Sequence, residues 1–201
     1  MIMKQNTNQQ NKGVASSSPS WPTIFKESFK SLLFLSLFMP ILINIHGPTA
    51  SGKSTIITNL QRYLPSYAFV DRAYMKKMLQ PSGKDLAKEI SNKTTIFILK
   101  ELMKSKKNII VQEVGPTFLK KHLSKELKGY GFYSFYLLVS ISTALRRAKQ
   151  RKKKTIEVQL RKIHAKLSPE KEDTIIDTEK LNLKQATQFI LKNVRLGKRK
   201  A

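Results

Sequence analysis

The chain has 201 residues, 38 of them Lys or Arg against 13 Asp or Glu, for a formal net charge of +25. That length supports one domain with a sizeable core and is short for two. The charge suits an anionic partner, whether nucleotide, nucleic acid or acidic membrane surface, and the absence of cysteine excludes disulfides and thiolate metal sites.

Residues 1–31, with "NTNQQNK" and "SSSPS", are polar and poor in apolar side chains, and they read as disordered. An apolar run from Leu32 to Ile45 follows and imitates a signal peptide, with Lys26 and Lys30 ahead of it. The run is short for a membrane helix, Pro40 interrupts it, and no small-x-small cleavage site follows. A cytoplasmic protein without a stable membrane span is therefore expected. The end of the run, "PILINI", is the expected first strand, and Met39 is an economical start for the domain. Residues 1–38 are then a dispensable extension, and 39–201 are the domain.

Directly behind that strand stands "HGPTASGKST". Gly47, Gly52, Lys53 and Ser54 meet the pattern G-x-x-x-x-G-K-[ST], between an apolar strand and the amphipathic helix "IITNLQRYL". The two glycines let the backbone turn so that successive N–H groups face phosphate oxygens. The stretch Gly47, Pro48, Thr49, Ala50, Ser51, Gly52, Lys53, Ser54, Thr55 is thus a candidate phosphate cradle. Lys53 is placed for the β- and γ-phosphates of ATP and Ser54 for Mg²⁺. A plain linking turn has no need of lysine at that position.

The helix is expected over about 53–64, ended by Pro65, and "YAFVDR" is a short strand ending in Asp71 and Arg72. A helix at "AYMKKML" and a longer one over about 84–104 follow, the latter with Leu86, Ile90, Ile96, Leu99 and Met103 as apolar positions. "NIIVQEVG" is the third strand, and "PTFLKKHLSKELKG" is a helix closed by Gly129. "FYSFYLLVS" is the fourth strand; helices start behind Ser142 and behind Thr155. "DTIIDT" is the last strand, and Asn182 with Gln185 forms a capping box for the final helix. Strands alternating with helices make an α/β parallel sheet covered on both faces. Ligands gather at the carboxyl ends of such strands, which singles out Gly47–Thr55, Asp71, Arg72, Gln112, Glu113, Ser140 and Asp177. His46, His122 and His164 are scattered and suggest no metal site.

The order "ILINIHGPTASGKST", "FVDRAYMKKML", "IIVQEVG", "LRRAKQR", "TIIDTEKLNLKQA" resembles the small P-loop kinases of the nucleoside-monophosphate, zeta-toxin and metabolite-kinase kind, over about residues 39–193. The resemblance implies a P-loop NTPase three-layer fold with a five-stranded sheet in the order 2-3-1-4-5. It implies that Asp71 contacts or deprotonates the acceptor hydroxyl. It also implies that Arg147 and Arg151, four apart on one helix face, begin a lid over about 146–166 that closes on the phosphates. Arg72 and Glu113 are candidate substrate contacts, and Glu113 alternatively holds a Mg²⁺-bound water. No apolar run ending in Asp supplies the usual second metal contact. The expected activity is ATP- and Mg²⁺-dependent phosphoryl transfer to a small-molecule acceptor. "GPTASGKS" is also similar to the phosphate loop of tRNA dimethylallyltransferases, although "FVDRAYMKKMLQPSG" lacks their further motifs. A nucleic-acid-binding P-loop ATPase is the other alternative, less favoured because Lys149–Thr155 holds no aromatic side chain.

Overall fold

The computed structural model describes residues 39–79, 83–112, 114–150 and 157–197. The expected extension 1–38, Glu113, Arg151, the cap at Thr155 and the middle of the expected lid lie outside the described residues. In chain order the elements are β1 (Ile41–His46), α1 (Lys53–Tyr63), β2 (Ala68–Asp71), α2 (Arg72–Met78), α3 (Lys84–Lys104), β3 (Ile109–Gln112), α4 (Pro116–Leu127), β4 (Gly131–Leu138), α5 (Ile141–Gln150), α6 (Glu157–Lys166), β5 (Asp173–Asp177) and α7 (Leu183–Gly197). The five strands form one parallel sheet in the order β2-β3-β1-β4-β5. This is the α/β three-layer architecture expected from the sequence.

All six residues of β1 are buried because both faces of the sheet are covered. Ile41, Ile43 and Ile45 pack with Ile56, Ile57 and Leu60 of α1 and with Ile190 and Leu191 of α7. On the other face Leu42 packs with Leu99 and Met103 of α3 and with Leu119 and Leu123 of α4. Burial of side chains this size contributes about 1.5–3 kcal/mol each.

The alternation also puts Asn44 and His46 on the Leu42 face, where polar groups need partners. Asn44 Nδ2 donates to Ser134 Oγ at 2.9 Å, and Ser134 Oγ donates to Asp173 Oδ1 at 2.6 Å. His46 Nε2 lies 2.8 and 2.9 Å from the two oxygens of the same carboxylate, which is 0% exposed. The Glu170 N–H donates to Asp173 Oδ2 at 2.7 Å. A buried carboxylate thus ties β1, β4 and β5 together at the residue before Gly47.

The capping box on α7 is present: Asn182 N donates to Gln185 Oε1 and Gln185 N donates to Asn182 Oδ1, both at 3.0 Å. Three local expectations change. The helix α5 starts at Ile141, capped by Ser140 rather than Ser142, because Ala144 N donates to Ser140 O at 2.9 Å and Thr143 N to Ser140 Oγ at 3.3 Å. In α3 the buried stripe is Ala87, Ser91, Thr95, Leu99 and Met103, and Leu86 is 49% exposed. The first half of that helix lies against α2, with Thr95 Oγ1 3.6 Å from Met75 Sδ, and small side chains let the two approach. Gly129 does not close α4 in the left-handed region; the helix ends at Leu127 with Lys128 right-handed.

In register, Gln112 stands opposite both Ile45 and Asp71, His46 opposite Tyr136, and Leu138 opposite Asp177. The carboxyl ends therefore emerge along one edge.

Candidate active site

The loop between β1 and α1 is shaped by its backbone. Gly47 leaves β1 at φ 137°, and a Cβ there would stand 2.7 Å from Leu137 O of the neighbouring strand. Ala50 and Gly52 also lie at positive φ, 65° and 98°. Lys53, 6% exposed, donates from Nζ to Gly47 O at 2.8 Å and Pro48 O at 2.7 Å, so its ammonium lies inside the loop. Gly52 gives α1 no side-chain cap, and Ser54 and Thr55 are exposed in its first turn. Uncapped N–H groups and the positive end of the helix dipole favour an anion at this point.

On the β4–β5 side of the loop is a cavity of about 200 Å³, lined among others by Ser51, Thr55, Arg147, Thr178, Leu181 and Leu183. Arg147 spans it, donating from Nη1 to Thr178 Oγ1 at 3.0 Å and Ala50 O at 3.4 Å, and from Nη2 to Thr178 O at 2.7 Å. Glu179 accepts from Thr143 Oγ1 at 2.5 Å, Ser140 N at 2.8 Å and Ser140 Oγ at 2.9 Å. Those bonds, with Thr143 first, hold its carboxyl below the usual range. The helix α6 lies on the loop as well: His164 Nε2 is 3.2 Å from Thr49 O, and Leu160 is buried in a cluster with Ala144 and Ala148 that Ala50 packs against.

On the β2–β3 side, Asp71 caps α2, its Oδ1 accepting the N–H groups of Ala73 at 2.9 Å and Tyr74 at 3.1 Å. Arg72 Nη1 donates to Asn92 Oδ1 of α3 at 3.0 Å. Gln112 is 4% exposed, and its Oε1 has no hydrogen-bond partner among the described residues. It is two residues beyond Ile110 and opposite Ile45, so it lies on the α1 face of the sheet. A buried orphan carbonyl needs an explanation. An amide oxygen here and the Ser54 hydroxyl at the start of α1 are both oxygen donors of the kind taken by Mg²⁺, which keeps several waters and binds with substrate phosphates. Among the described residues no group of three or more His, Asp or Glu could hold a metal.

The strand-end edge thus brings together the loop from Gly47 to Thr55, Asp71, Arg72 and Gln112, with Arg147 over the cavity. Sequence reasoning missed Thr178, Glu179, Leu181 and Leu183. Asp177 pointed toward them as a strand end, but the contacts that make them a wall span more than thirty residues of chain.

Such a loop on such a sheet defines the fold of the small P-loop kinases. No family model matches the chain, and no curated protein matches it in sequence. Among solved structures it is similar to a gluconokinase from Sinorhizobium meliloti 1021, at 16% identity and a TM-score of 0.59 over 80% of this chain and 95% of that one. The Deinococcus radiodurans tunicamycin resistance protein is 20% identical, with a TM-score of 0.55 over 77% and 95% of the two chains. Shikimate kinase from Acinetobacter baumannii is 14% identical, with a TM-score of 0.51 over 80% and 94%. No described helix is long and apolar enough to cross a membrane.

Proposed function

We propose that the protein transfers the γ-phosphoryl group of ATP to a small-molecule acceptor, with residues 39–201 as the catalytic domain. The observation that carries this reading is a buried lysine inside a glycine-turned loop, next to a cavity of about 200 Å³. Loop N–H groups and Lys53 hold the β- and γ-phosphates and stabilise charge that builds up there. Ser54 and Gln112 would hold Mg²⁺, which would supply further charge neutralisation when bound with the nucleotide. Asp71 accepts the acceptor's proton through the oxygen that does not cap α2, while the acceptor oxygen bonds to the γ-phosphorus and ADP leaves. Arg72 and Glu113 orient the acceptor. Arg147, held on the cavity wall by Thr178, and Arg151 meet the charge of the migrating group. The net charge of +25 keeps an anionic acceptor, including a nucleic-acid end, in the range to be tested.

The test is transfer of label from γ-labelled ATP to a panel of nucleosides, nucleotides, sugars and RNA ends. One acceptor class should become labelled, and Lys53→Ala should lower the rate by about a hundredfold or more. Undiminished turnover in a folded Lys53→Ala protein would sink the kinase reading.

A further inference from the structure

The buried carboxylate of Asp173 takes no part in the proposed chemistry, yet three donors converge on it. Ser134 Oγ and the Glu170 N–H bond to one oxygen each, at 2.6 and 2.7 Å, and His46 Nε2 lies 2.8 and 2.9 Å from the two. Stability alone does not account for a charge buried at this point. Replacing a buried charged pair by apolar side chains of similar volume is often neutral or stabilising. Leu42, four residues earlier on the same face of β1, already packs there with side chains of α3 and α4.

The neighbour of His46 is what sets the place apart. His46 is the last residue of β1, and Gly47 follows it at φ 137°, with the backbone of Leu137 close on one flank. Glycine has no side chain with which to hold such a turn. The residue before it does the holding: the His46 imidazole bonds to Asp173 on β5 and meets the Tyr136 ring edge-on, with centroids 5.3 Å apart. Directly afterwards Gly47 O and Pro48 O accept from Lys53 Nζ at 2.8 and 2.7 Å, so the course of the chain out of β1 decides where that ammonium stands.

We infer that His46 and Asp173 are a positioning pair for the phosphate site: their bond fixes the exit of β1, and through it the loop carbonyls that place Lys53 for the phosphates. The inference rests on the proposed function, in which that lysine meets the β- and γ-phosphates. It goes beyond that reading in assigning to the loop a support on β5, outside the loop's own sequence pattern.

Titration of the full chain with a fluorescent ATP analogue and Mg²⁺ tests it, on variants read well below their melting temperatures. His46→Phe keeps a ring against Tyr136 and loses the bond, while the Asp173 carboxylate retains Ser134 and Glu170. Should that variant not fold, His46→Asn, whose shorter amide falls short of Asp173, takes its place. Ser134→Ala removes a bond to the same carboxylate from the β4 side and gives the measure of a merely structural role. Both losses should lower the melting temperature. The His46 variant should also bind the analogue about tenfold to a hundredfold more weakly, the cost of a displacement of about 1 Å in a positioned group, and Ser134→Ala less than about twofold more weakly. His46→Gln, whose amide N–H again reaches toward the carboxylate, should recover most of the loss. An unchanged affinity in the His46 variant, or losses that follow the melting temperature in both variants alike, would overturn the inference and leave the kinase reading standing. If the wild-type chain does not bind the analogue, the kinase reading fails and the inference falls with it.

Discussion

The two sides of the phosphate loop are built differently. Toward β4 and β5, most charged groups already have a protein partner, although the buried Ser51 Oγ and Asn44 Oδ1 have none among the described residues. Arg147 is tied to Thr178 and Ala50, Glu179 to Ser140 and Thr143, and Asp173 to His46, Ser134 and Glu170. Toward β2 and β3, Asp71 caps α2 through one oxygen alone, Gln112 Oε1 has no partner, and α2 buries none of its residues, with Tyr74 63% and Met78 66% exposed. Charged groups that are already paired hold their geometry before anything binds, which is what stabilising a fixed triphosphate would require. A side with open bonds is completed by what it binds. On the proposed function, the first side would take the phosphoryl donor and the second the acceptor.

The largest effect that would break this contrast is at Asp71. Asparagine is as good a helix cap as aspartate, so Asp71→Asn keeps α2 in place and removes the proton-accepting oxygen. Transfer to the acceptor should fall by about a hundredfold or more, while ATP affinity stays within about twofold. A nucleic-acid-binding ATPase makes the opposite prediction: a nearly silent Asp71→Asn, with hydrolysis stimulated by polynucleotide and binding that weakens steeply with salt. Steady-state rates and nucleotide titrations on the one variant decide between them.

The contrast also explains what could be read in the chain. The loop from Gly47 to Thr55 was legible because its shape is a backbone property, written as glycines and a lysine at fixed spacing. The strands were legible because burial on both faces leaves apolar runs, as in "ILINI" and "FYLL". The α7 capping box is local and was legible for the same reason. The wall made by Thr178, Leu181 and Leu183 depends on a partner in α5, and no spacing rule links Arg147 to Thr178. The failure at Leu86 has a related cause. Hydrophobic periodicity assumes that large apolar side chains face inward, whereas α3 turns Ala87, Ser91 and Thr95 toward its neighbours. Asp71 was legible as a strand end but not as the cap of α2, because that strand passes into the helix without an intervening turn.

A second, smaller effect sharpens the contrast at Gln112. If its orphan carbonyl serves only as packing, leucine is an improvement, since a buried unpaired polar group costs about 1–3 kcal/mol. If it serves the metal, Gln112→Leu should raise or keep the melting temperature and at the same time weaken the response of nucleotide binding to Mg²⁺. The ratio of ATP affinities measured with Mg²⁺ and with a chelator should drop about tenfold, the usual cost of losing an outer contact of a metal site. Gln112→Asp should move the ratio the other way. An unchanged ratio in both variants would return Gln112 to the core.

The smallest expected effect lies on the completed side, at Glu179. Hydrogen bonds from Thr143 first, then from the Ser140 N–H and hydroxyl, with Arg147 nearby, favour its ionised form and lower its pKa from the ordinary 4.5. A carboxyl with a depressed folded-state pKa adds stability that is fully present above its unfolded value and is lost as pH falls through the folded one. The Glu179 contribution should therefore be constant at neutral pH and vanish only in acid. The side chain is exposed and solvent screens it, so the size is small. Glu179→Gln keeps one acceptor and removes the charge, which makes the difference in melting temperature between wild type and variant the quantity to follow. That difference should hold steady from neutral pH down to about pH 5 and shrink below it. Amide exchange at Ser140, which donates to this carboxylate, should accelerate over the same acid range relative to its neutral-pH trend. A difference that instead grew on acidification would mean that Ser140 and Thr143 hold the start of α5 without help from this carboxylate, and that the donor side is less tightly fixed than its hydrogen bonds indicate.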